Sequence, residues 1–93
     1  MELKGKNALI TGSGIRLGRA IALALAAEGC NLALHYHHSA EEVREVQIAS
    51  LNVGVQAEIF QADLSDPNQL LQLMQAVTTA FGHIDILINN AGI

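Results

Sequence analysis

The sequence has one cysteine, few basic residues and no long apolar run. Cys30 cannot form a disulfide within the chain, and we interpret it as a small apolar residue at a strand entrance in a reducing compartment. The 5 lysines and arginines are fewer than the 9 acids and do not cluster, so no basic face is available to neutralise nucleic-acid phosphates. No stretch approaches the roughly 20 apolar residues of a membrane span, and no signal peptide is recognisable. We predict a cytoplasmic protein without nucleic-acid or membrane partners.

The chain is short for the layered architecture that its pattern suggests. Its 93 residues, of which 51% are hydrophobic, are enough for one small domain. A doubly wound sheet with both faces covered usually needs well over about 100 residues. We therefore predict that residues 1–93 form a single, incomplete domain.

Apolar runs alternate with helical periodicities along the chain. The predicted strands cover residues 6–11, 31–37, 55–61 and 85–89, and the predicted helices cover residues 17–28, 40–51 and 67–81. Such alternation implies right-handed crossovers and a parallel sheet. The predicted fold class is α/β, half of a doubly wound Rossmann sheet with strand order 3-2-1-4. Its ligand crevice should lie where the order reverses, next to Gly12 and Asn90.

A glycine-rich stretch, TGSGIRLG at residues 11–18, separates the first predicted strand from the first helix. Gly12 is expected at a tight turn with positive φ, Gly14 lacks a Cβ that would hold a pyrophosphate away, and Gly18 lets helix and strand approach closely. A helix that begins at such a turn directs unpaired N–H groups at one point, where a phosphate can bind. Glycine-rich turns also occur for structural reasons alone. The flanking strand and helix favour a dinucleotide pyrophosphate site.

Histidines, and no acid, lie at the end of the second predicted strand. An NAD site usually has an Asp or Glu there that accepts from the ribose 2′-OH, whereas residues 35–39 read HYHHS. Arg16 offers a fork of donors, Ser39 a hydroxyl, and His37 or His38 a proton that a nearby dianion helps to retain. We predict that NADP(H) outbinds NAD(H), with a preference that shrinks as the pH rises from about 6 to about 8.

The same histidines could instead hold a metal ion. In an extended strand His35 and His37 share one face while His38 points away, and no Cys or acid is obviously paired with them. We predict no metal site.

Three motifs in order resemble the amino-terminal half of a short-chain dehydrogenase/reductase. They are Thr11-Gly12-x-x-x-Arg16-x-Gly18, the pair Asp63-Leu64 after the third strand, and Asn89-Asn90-Ala91-Gly92 after the fourth. Arg16 replaces the middle glycine of the usual T-G-x-x-x-G-x-G and, together with HYHHSA at residues 35–40, is similar to the pteridine reductase branch. The resemblance implies NADPH-dependent reduction of a carbonyl or imine in a full-length member, and it leaves pteridine, acyl-carrier-bound ketone and sugar substrates open.

The resemblance also implies a set of cofactor contacts. The pyrophosphate and adenosine ribose would be lined by Gly12, Ser13, Arg16, Leu17 and Gly18. The adenine would contact Asp63 and Leu64, and the ribose of the nicotinamide half would contact Asn90, Ala91 and Gly92. In the branch that it resembles, an arginine is common at the position of His38. Purely structural alternatives are a solvated Arg16, a loop or capping role for Asp63, and amides of Asn89 and Asn90 that tie strands together.

The catalytic residues of that family are not among these 93 residues. The family uses a serine and a Tyr-x-x-x-Lys pair, but Tyr36 is the only tyrosine and Ala40 stands four positions later. We predict an inactive cofactor-binding half whose fourth strand exposes an edge that forms a homo-oligomer. A non-catalytic NADP-binding redox sensor or regulator is the alternative. An S-adenosylmethionine domain is disfavoured because no acid ends the second strand.

Overall fold

The computed structural model describes residues 2–90 and contains seven regular elements. In chain order they are β1 (Asn7–Ile10), α1 (Arg16–Ala27), β2 (Asn31–Tyr36), α2 (Ala40–Asn52), β3 (Ala57–Gln61), α3 (Pro67–Phe81) and β4 (Ile86–Ile88). All seven occur where the sequence predicts an element of that type. The strands are shorter than predicted by one to two residues at one or both ends, and β2 stops at Tyr36. No helix within residues 2–90 has both the length and the apolar character needed to cross a bilayer.

The four strands form one parallel sheet in the order β3-β2-β1-β4. Ala8 in β1 lies opposite Leu32 in β2 and Ile86 in β4, so β1 has a strand on each side. The predicted fold class and strand order are confirmed. The order reverses at β1 and β4, where open α/β sheets bind their ligands beyond the strands' carboxyl ends.

Both faces of β1 and β2 are covered by helices. On one face, Ile10, Leu34 and Val43 belong to a cluster that packs beneath α1 and α2. On the other face, Leu9 packs with Val77 of α3. Parallel strands covered on both faces read as continuous apolar runs, which explains the sequence NALI of β1, whose four residues are all buried.

The helix ends follow the local sequence signals with one exception. Asp66 caps α3, since its Oδ1 accepts from the Asn68 N–H at 2.9 Å, and Gly82 ends that helix with a φ of 83°. Ser39 takes the N-cap position of α2 but makes no side-chain capping bond, contrary to the usual role of a serine there. Its hydroxyl is therefore not committed to the helix.

Amide side chains link the amino-terminal ends of the strands. Asn7 Nδ2 donates to the carbonyls of Phe81 at 3.3 Å and His83 at 3.0 Å. Asn7 Oδ1 accepts from Asn31 Nδ2 at 3.2 Å, and Asn31 Oδ1 accepts from the Gln56 N–H at 3.0 Å. This row of bonds leaves the opposite, carboxyl-terminal edge of the sheet as the place for a ligand.

Cys30 lies just before β2 and is completely buried, as its interpretation as an apolar residue requires. Its Sγ donates to the Leu3 carbonyl at 3.3 Å. Burial, and to a smaller extent the charges of Glu28 and Asp85, raise the pKa of the thiol. The neutral thiol is a poor nucleophile.

Candidate functional site

The glycine-rich loop connects the end of β1 to α1 across the carboxyl edge of the sheet. Gly12 has the predicted positive φ, at 62°. A Cβ on Gly18 would overlap the Gly12 carbonyl oxygen and would lie 2.7 Å from Asn90 Nδ2. Only a glycine at position 18 therefore lets the start of α1 pack against this turn, as predicted.

Gly14 has a different neighbour from the one that the sequence suggested. A Cβ on Gly14 would lie 3.1 Å from the Val43 nitrogen and 3.2 Å from Ser39 Cβ. The missing side chain thus lets the loop pack against the first turn of α2, which is protein and not an open cradle. This contact joins the loop to the end of β2, where the histidines lie.

The first two residues of α1, Arg16 and Leu17, are exposed to solvent, and Gly18 is buried. The first helical bond runs from the Arg19 N–H to the Ile15 carbonyl at 3.2 Å, so the amides of residues 16–18 precede the hydrogen-bonded part of the helix. Ile15 holds the N-cap position and supplies no capping bond. Leu17 is 63% exposed. These amides, with the positive end of the helix dipole, form a surface that suits an anion.

Arg16 lies at this helix start in a strained backbone conformation. It is the only non-glycine residue with positive φ among residues 2–90, at 54°. The left-handed region costs an L-residue with a Cβ about 1–2 kcal/mol, and such strain concentrates at functional sites. The side chain is exposed. Among residues 2–90, Arg19 and not Arg16 forms an ion pair, with Glu45 at 3.3 Å.

A cavity of about 200 Å³ lies between this loop and the end of β2. Its lining includes Gly12, Gly14 and Ile15 from the loop and residues 35–39. His37 and His38 stack, with ring centroids 3.7 Å apart. The prediction that His38 points away is wrong, because β2 ends at Tyr36 and the strand alternation does not continue through these histidines. No acid lines the cavity.

His35 is buried beneath the loop, and only 1% of it is exposed. Its ring Nδ1 accepts from the Gly12 N–H at 3.0 Å, and its Nε2 lies 2.9 Å from the Ala62 carbonyl oxygen. Its own carbonyl accepts from Ser13 N–H at 2.9 Å and from Ser13 Oγ at 2.8 Å. The amides of Gly12 and Ser13 are therefore bonded to His35, and Ser13 is fully buried. Their predicted cofactor contacts stay predictions.

This role of His35 was not predicted from the sequence, in which the residue was considered only as a metal ligand. One signal could have found it, since a histidine within an apolar strand is buried and needs a partner at each ring nitrogen. Among residues 2–90 no group of three or more His, Cys, Asp or Glu side chains is arranged to hold a metal ion.

Asp63 follows β3 and bonds within its own loop. Its Oδ1 accepts from the Ser65 N–H at 3.0 Å and from Ser65 Oγ at 2.6 Å. These bonds, and more weakly the charges of His37 and His38, lower the pKa of the carboxyl below 3.8. Leu64 is half-buried and packs against the α3 face. Asp63 thus has the loop role that was its structural alternative. Its contact with the adenine stays a prediction.

Asn90 ties the end of β4 to the loop. Its N–H donates to Thr11 Oγ1 at 2.9 Å, and its Nδ2 donates to the Gly12 carbonyl at 3.0 Å. The proposed structural role of this asparagine is therefore seen. The structure brings Asn90 next to Gly12, as predicted, and also next to Gly18. The predicted cofactor contacts of Ala91 and Gly92 lie outside the described residues.

Comparisons with known proteins agree with this architecture. A family model described as short chain dehydrogenase matches residues 6–93. A hydroxynaphthalene reductase of Aspergillus fumigatus is 42% identical over 92 residues, which cover 99% of this chain and 34% of that protein. An L-rhamnose 1-dehydrogenase (NADP(+)) of Thermoplasma acidophilum is 40% identical over 93 residues, covering 100% of this chain and 37% of that protein. The chain spans about a third of the length of these relatives.

Solved structures show the same likeness. A Burkholderia cenocepacia protein with bound NADP has a TM-score of 0.91 and 36% identity, covering 95% of this chain and 34% of that one. A short-chain dehydrogenase/reductase from Serratia marcescens has a TM-score of 0.92 and 35% identity, covering 100% of this chain and 38% of that one.

Proposed function

We propose that this chain, which belongs to the short-chain dehydrogenase family, binds NADP(H) at the carboxyl edge of its sheet. The observation that carries the proposal is the uncapped amino terminus of α1, whose N-cap residue Ile15 lines a cavity together with histidines and, among residues 2–90, with no acid. The relatives named for NADP support the choice of cofactor. Membership of the pteridine reductase branch stays a prediction.

Each part of the dinucleotide would contact a different group of residues around the loop. The amides of residues 16–18 and the dipole of α1 would hold the pyrophosphate. The extra 2′-phosphate of NADP would be held by Arg16, His37, His38 and Ser39. Asp63 and Leu64 would lie against the adenine, and residues 90–92 against the second ribose. Gly12, Ser13 and Gly18 would shape the loop, since their own groups are packed or bonded within it.

Charge favours NADP over NAD at this site. A carboxylate at the end of β2 would accept from a free 2′-OH and repel a 2′-phosphate, and this chain places His37 and His38 there. The Ser39 hydroxyl makes no capping bond and is therefore available to a phosphate oxygen. Arg16 adds a permanent positive charge on an exposed side chain.

The whole protein, by this proposal, is an NADPH-dependent reductase of a carbonyl or imine. When bound, the nicotinamide supplies the hydride of that reaction. These 93 residues contain no Tyr-x-x-x-Lys pair, so we propose that they bind and orient the cofactor without reducing a substrate. Among residues 2–90, β4 pairs only with β1 and Leu87 is 59% exposed. We also propose that this edge associates with a second copy.

Calorimetric titration of the chain with NADPH and with NADH tests the proposal. We expect NADPH to bind more tightly, and we expect Arg16→Gln to weaken NADPH binding about tenfold while NADH binding changes little, because only NADPH has the phosphate that the guanidinium would contact. Lys4→Gln is the matched control, since it also removes one positive charge but does so at the amino-terminal end of the sheet. Equal affinity of the unaltered chain for both cofactors would refute the preference, and no binding would refute the function.

A further inference from the structure

We propose that His35 is a positioning residue of the nucleotide site, whose neutral ring holds the glycine-rich loop against the ends of β2 and β3 in the conformation that binds the pyrophosphate. This inference rests on the proposed NADP(H) site and assigns a residue that sets the conformation of its loop. His35 belongs to the cavity lining, but only 1% of it is exposed and both its ring nitrogens are hydrogen-bonded within the protein, so we infer that it acts through Gly12.

The hydrogen bonds define a single state of the ring. The Gly12 N–H can only donate, so Nδ1 at 3.0 Å must be unprotonated. The Ala62 carbonyl can only accept, so Nε2 at 2.9 Å must carry the proton. The ring is therefore the neutral Nε2–H tautomer, and it bridges Gly12, the second residue after β1, to Ala62, the residue that follows β3.

Protonation of the His35 ring would remove the hydrogen bond between its Nδ1 and the Gly12 N–H. A proton on Nδ1 would face the Gly12 N–H, so that two donors would meet with no acceptor between them. Burial holds the pKa of His35 below its ordinary value of 6.5, against the opposing effect of the bond to Ala62. The loop bond is thus complete at neutral pH and is lost only in acid.

The ionisable groups around the ring are few. His37, just after the strand that carries His35, lowers the pKa of His35 by its charge. Asp63 after β3 and Arg16 in the loop belong to the other elements at this end of the sheet, whereas Glu58 lies opposite Ala33, nearer the start of β3. The helix on this face, α3, has no ionisable residue. A pH effect that disappears when the ring is replaced is therefore attributable to His35.

Protonation of His35 and protonation of His37 or His38 would affect the binding of NADP and NAD differently. Protons on His37 or His38 would strengthen only the binding of a 2′-phosphate, which NADP has and NAD lacks. A proton on His35 would disturb the loop that leads to the amides of residues 16–18, which contact the pyrophosphate shared by both cofactors. NAD⁺, which is stable in acid, is therefore the probe for His35.

The experiment titrates NAD⁺ into the chain between about pH 7.5 and about pH 5. We expect the affinity of the unaltered chain to fall toward acid pH, and we expect His35→Asn to bind within about threefold at pH 7.5 without that fall, because its Oδ1 can accept from Gly12 and cannot titrate. His35→Leu should weaken NAD⁺ binding about tenfold at every pH, because the Gly12 N–H loses its partner. The control is His83→Asn, which replaces an exposed histidine at the amino-terminal end of the sheet. Its NAD⁺ affinity should show the same pH dependence as that of the unaltered chain.

Two results would overturn the inference: an acid-induced loss of binding that persists in His35→Asn, or full NAD⁺ affinity in His35→Leu. If His35→Leu does not fold, ¹⁵N NMR of the unaltered chain decides, since a ring protonated on Nδ1 at neutral pH contradicts the bridge. If the unaltered chain binds neither NADP⁺ nor NAD⁺, the proposed function fails. In that case an Nε2–H ring with slow exchange of the Gly12 amide would still support the bridge.

Discussion

Asp85 and Asn7 exchange two hydrogen bonds at the amino-terminal end of the sheet. Asp85 Oδ2 accepts from the Asn7 N–H at 2.9 Å, and the Asn7 carbonyl accepts from the Asp85 N–H at 2.9 Å. The bond from Asn7, more than the charges of His83 and Lys6, lowers the pKa of Asp85 below 3.8. The ionised carboxylate therefore holds the start of β4 against β1.

This pair predicts an acid-sensitive contribution to stability. Because the folded pKa of Asp85 lies below the unfolded value, its contribution is complete above about pH 4 and is lost as the pH falls through the folded pKa. We expect Asp85→Asn to lower Tm at pH 7 by an amount that shrinks toward about pH 2.5. Thermal unfolding followed by circular dichroism measures this, with Glu41→Gln as a control for the loss of an exposed charge. A Tm difference independent of pH would contradict the assignment.

The cofactor preference should depend on pH in the opposite sense to the binding of NAD⁺. Imidazole groups lose their protons near neutral pH, so the ratio of NADP⁺ to NAD⁺ affinity should fall as the pH rises from about 6 to about 8. Competition titrations at several pH values measure the ratio. In the double variant with His37→Asn and His38→Asn the slope should be smaller. A ratio unchanged over this range would exclude these histidines from phosphate binding.

The positive φ of Arg16 predicts a gain in stability from glycine. Arg16→Gly and Arg16→Ala both remove the guanidinium, but only alanine retains a Cβ at a φ of 54°. We expect the glycine variant to be more stable than the alanine variant by about 1 kcal/mol. Urea unfolding of the two variants gives the difference directly. Equal stabilities would mean that no strain is stored there.

The exposed edge of β4 predicts self-association. Leu87 is 59% exposed on a strand whose only partner among residues 2–90 is β1. Leu87→Lys should reduce association, because a charge on an edge strand opposes pairing with another chain. Light scattering over a range of concentrations measures it, with Lys substituted for the exposed Leu71 of α3 as the comparison. A monomeric unaltered chain at high concentration would refute the proposal.

The sequence predicted the sheet because its signals are local. Alternating strands and helices allow few topologies, and the glycine turn, Asp66 with Pro67, and Gly82 mark element ends by their own chemistry. Three features of the site depend on contacts between distant residues and were not predicted: the bonds of His35 to Gly12 and Ala62, the packing of Gly14 against α2, and the stacking of His37 on His38. The alternation of side chains along a strand did not predict the contact between His37 and His38, because β2 ends at Tyr36, one residue before the predicted end.

The buried Cys30 gives this chain a built-in reporter of opening. It is the only cysteine of the sequence, and it belongs to the buried cluster that joins α1 to the sheet. A thiol reagent can reach it only when the start of β2 separates from its surroundings, so the labelling rate follows that opening. If NADP(H) binds the folded chain, it should slow the labelling in proportion to its occupancy, even though the thiol and the glycine-rich loop lie at opposite ends of the sheet.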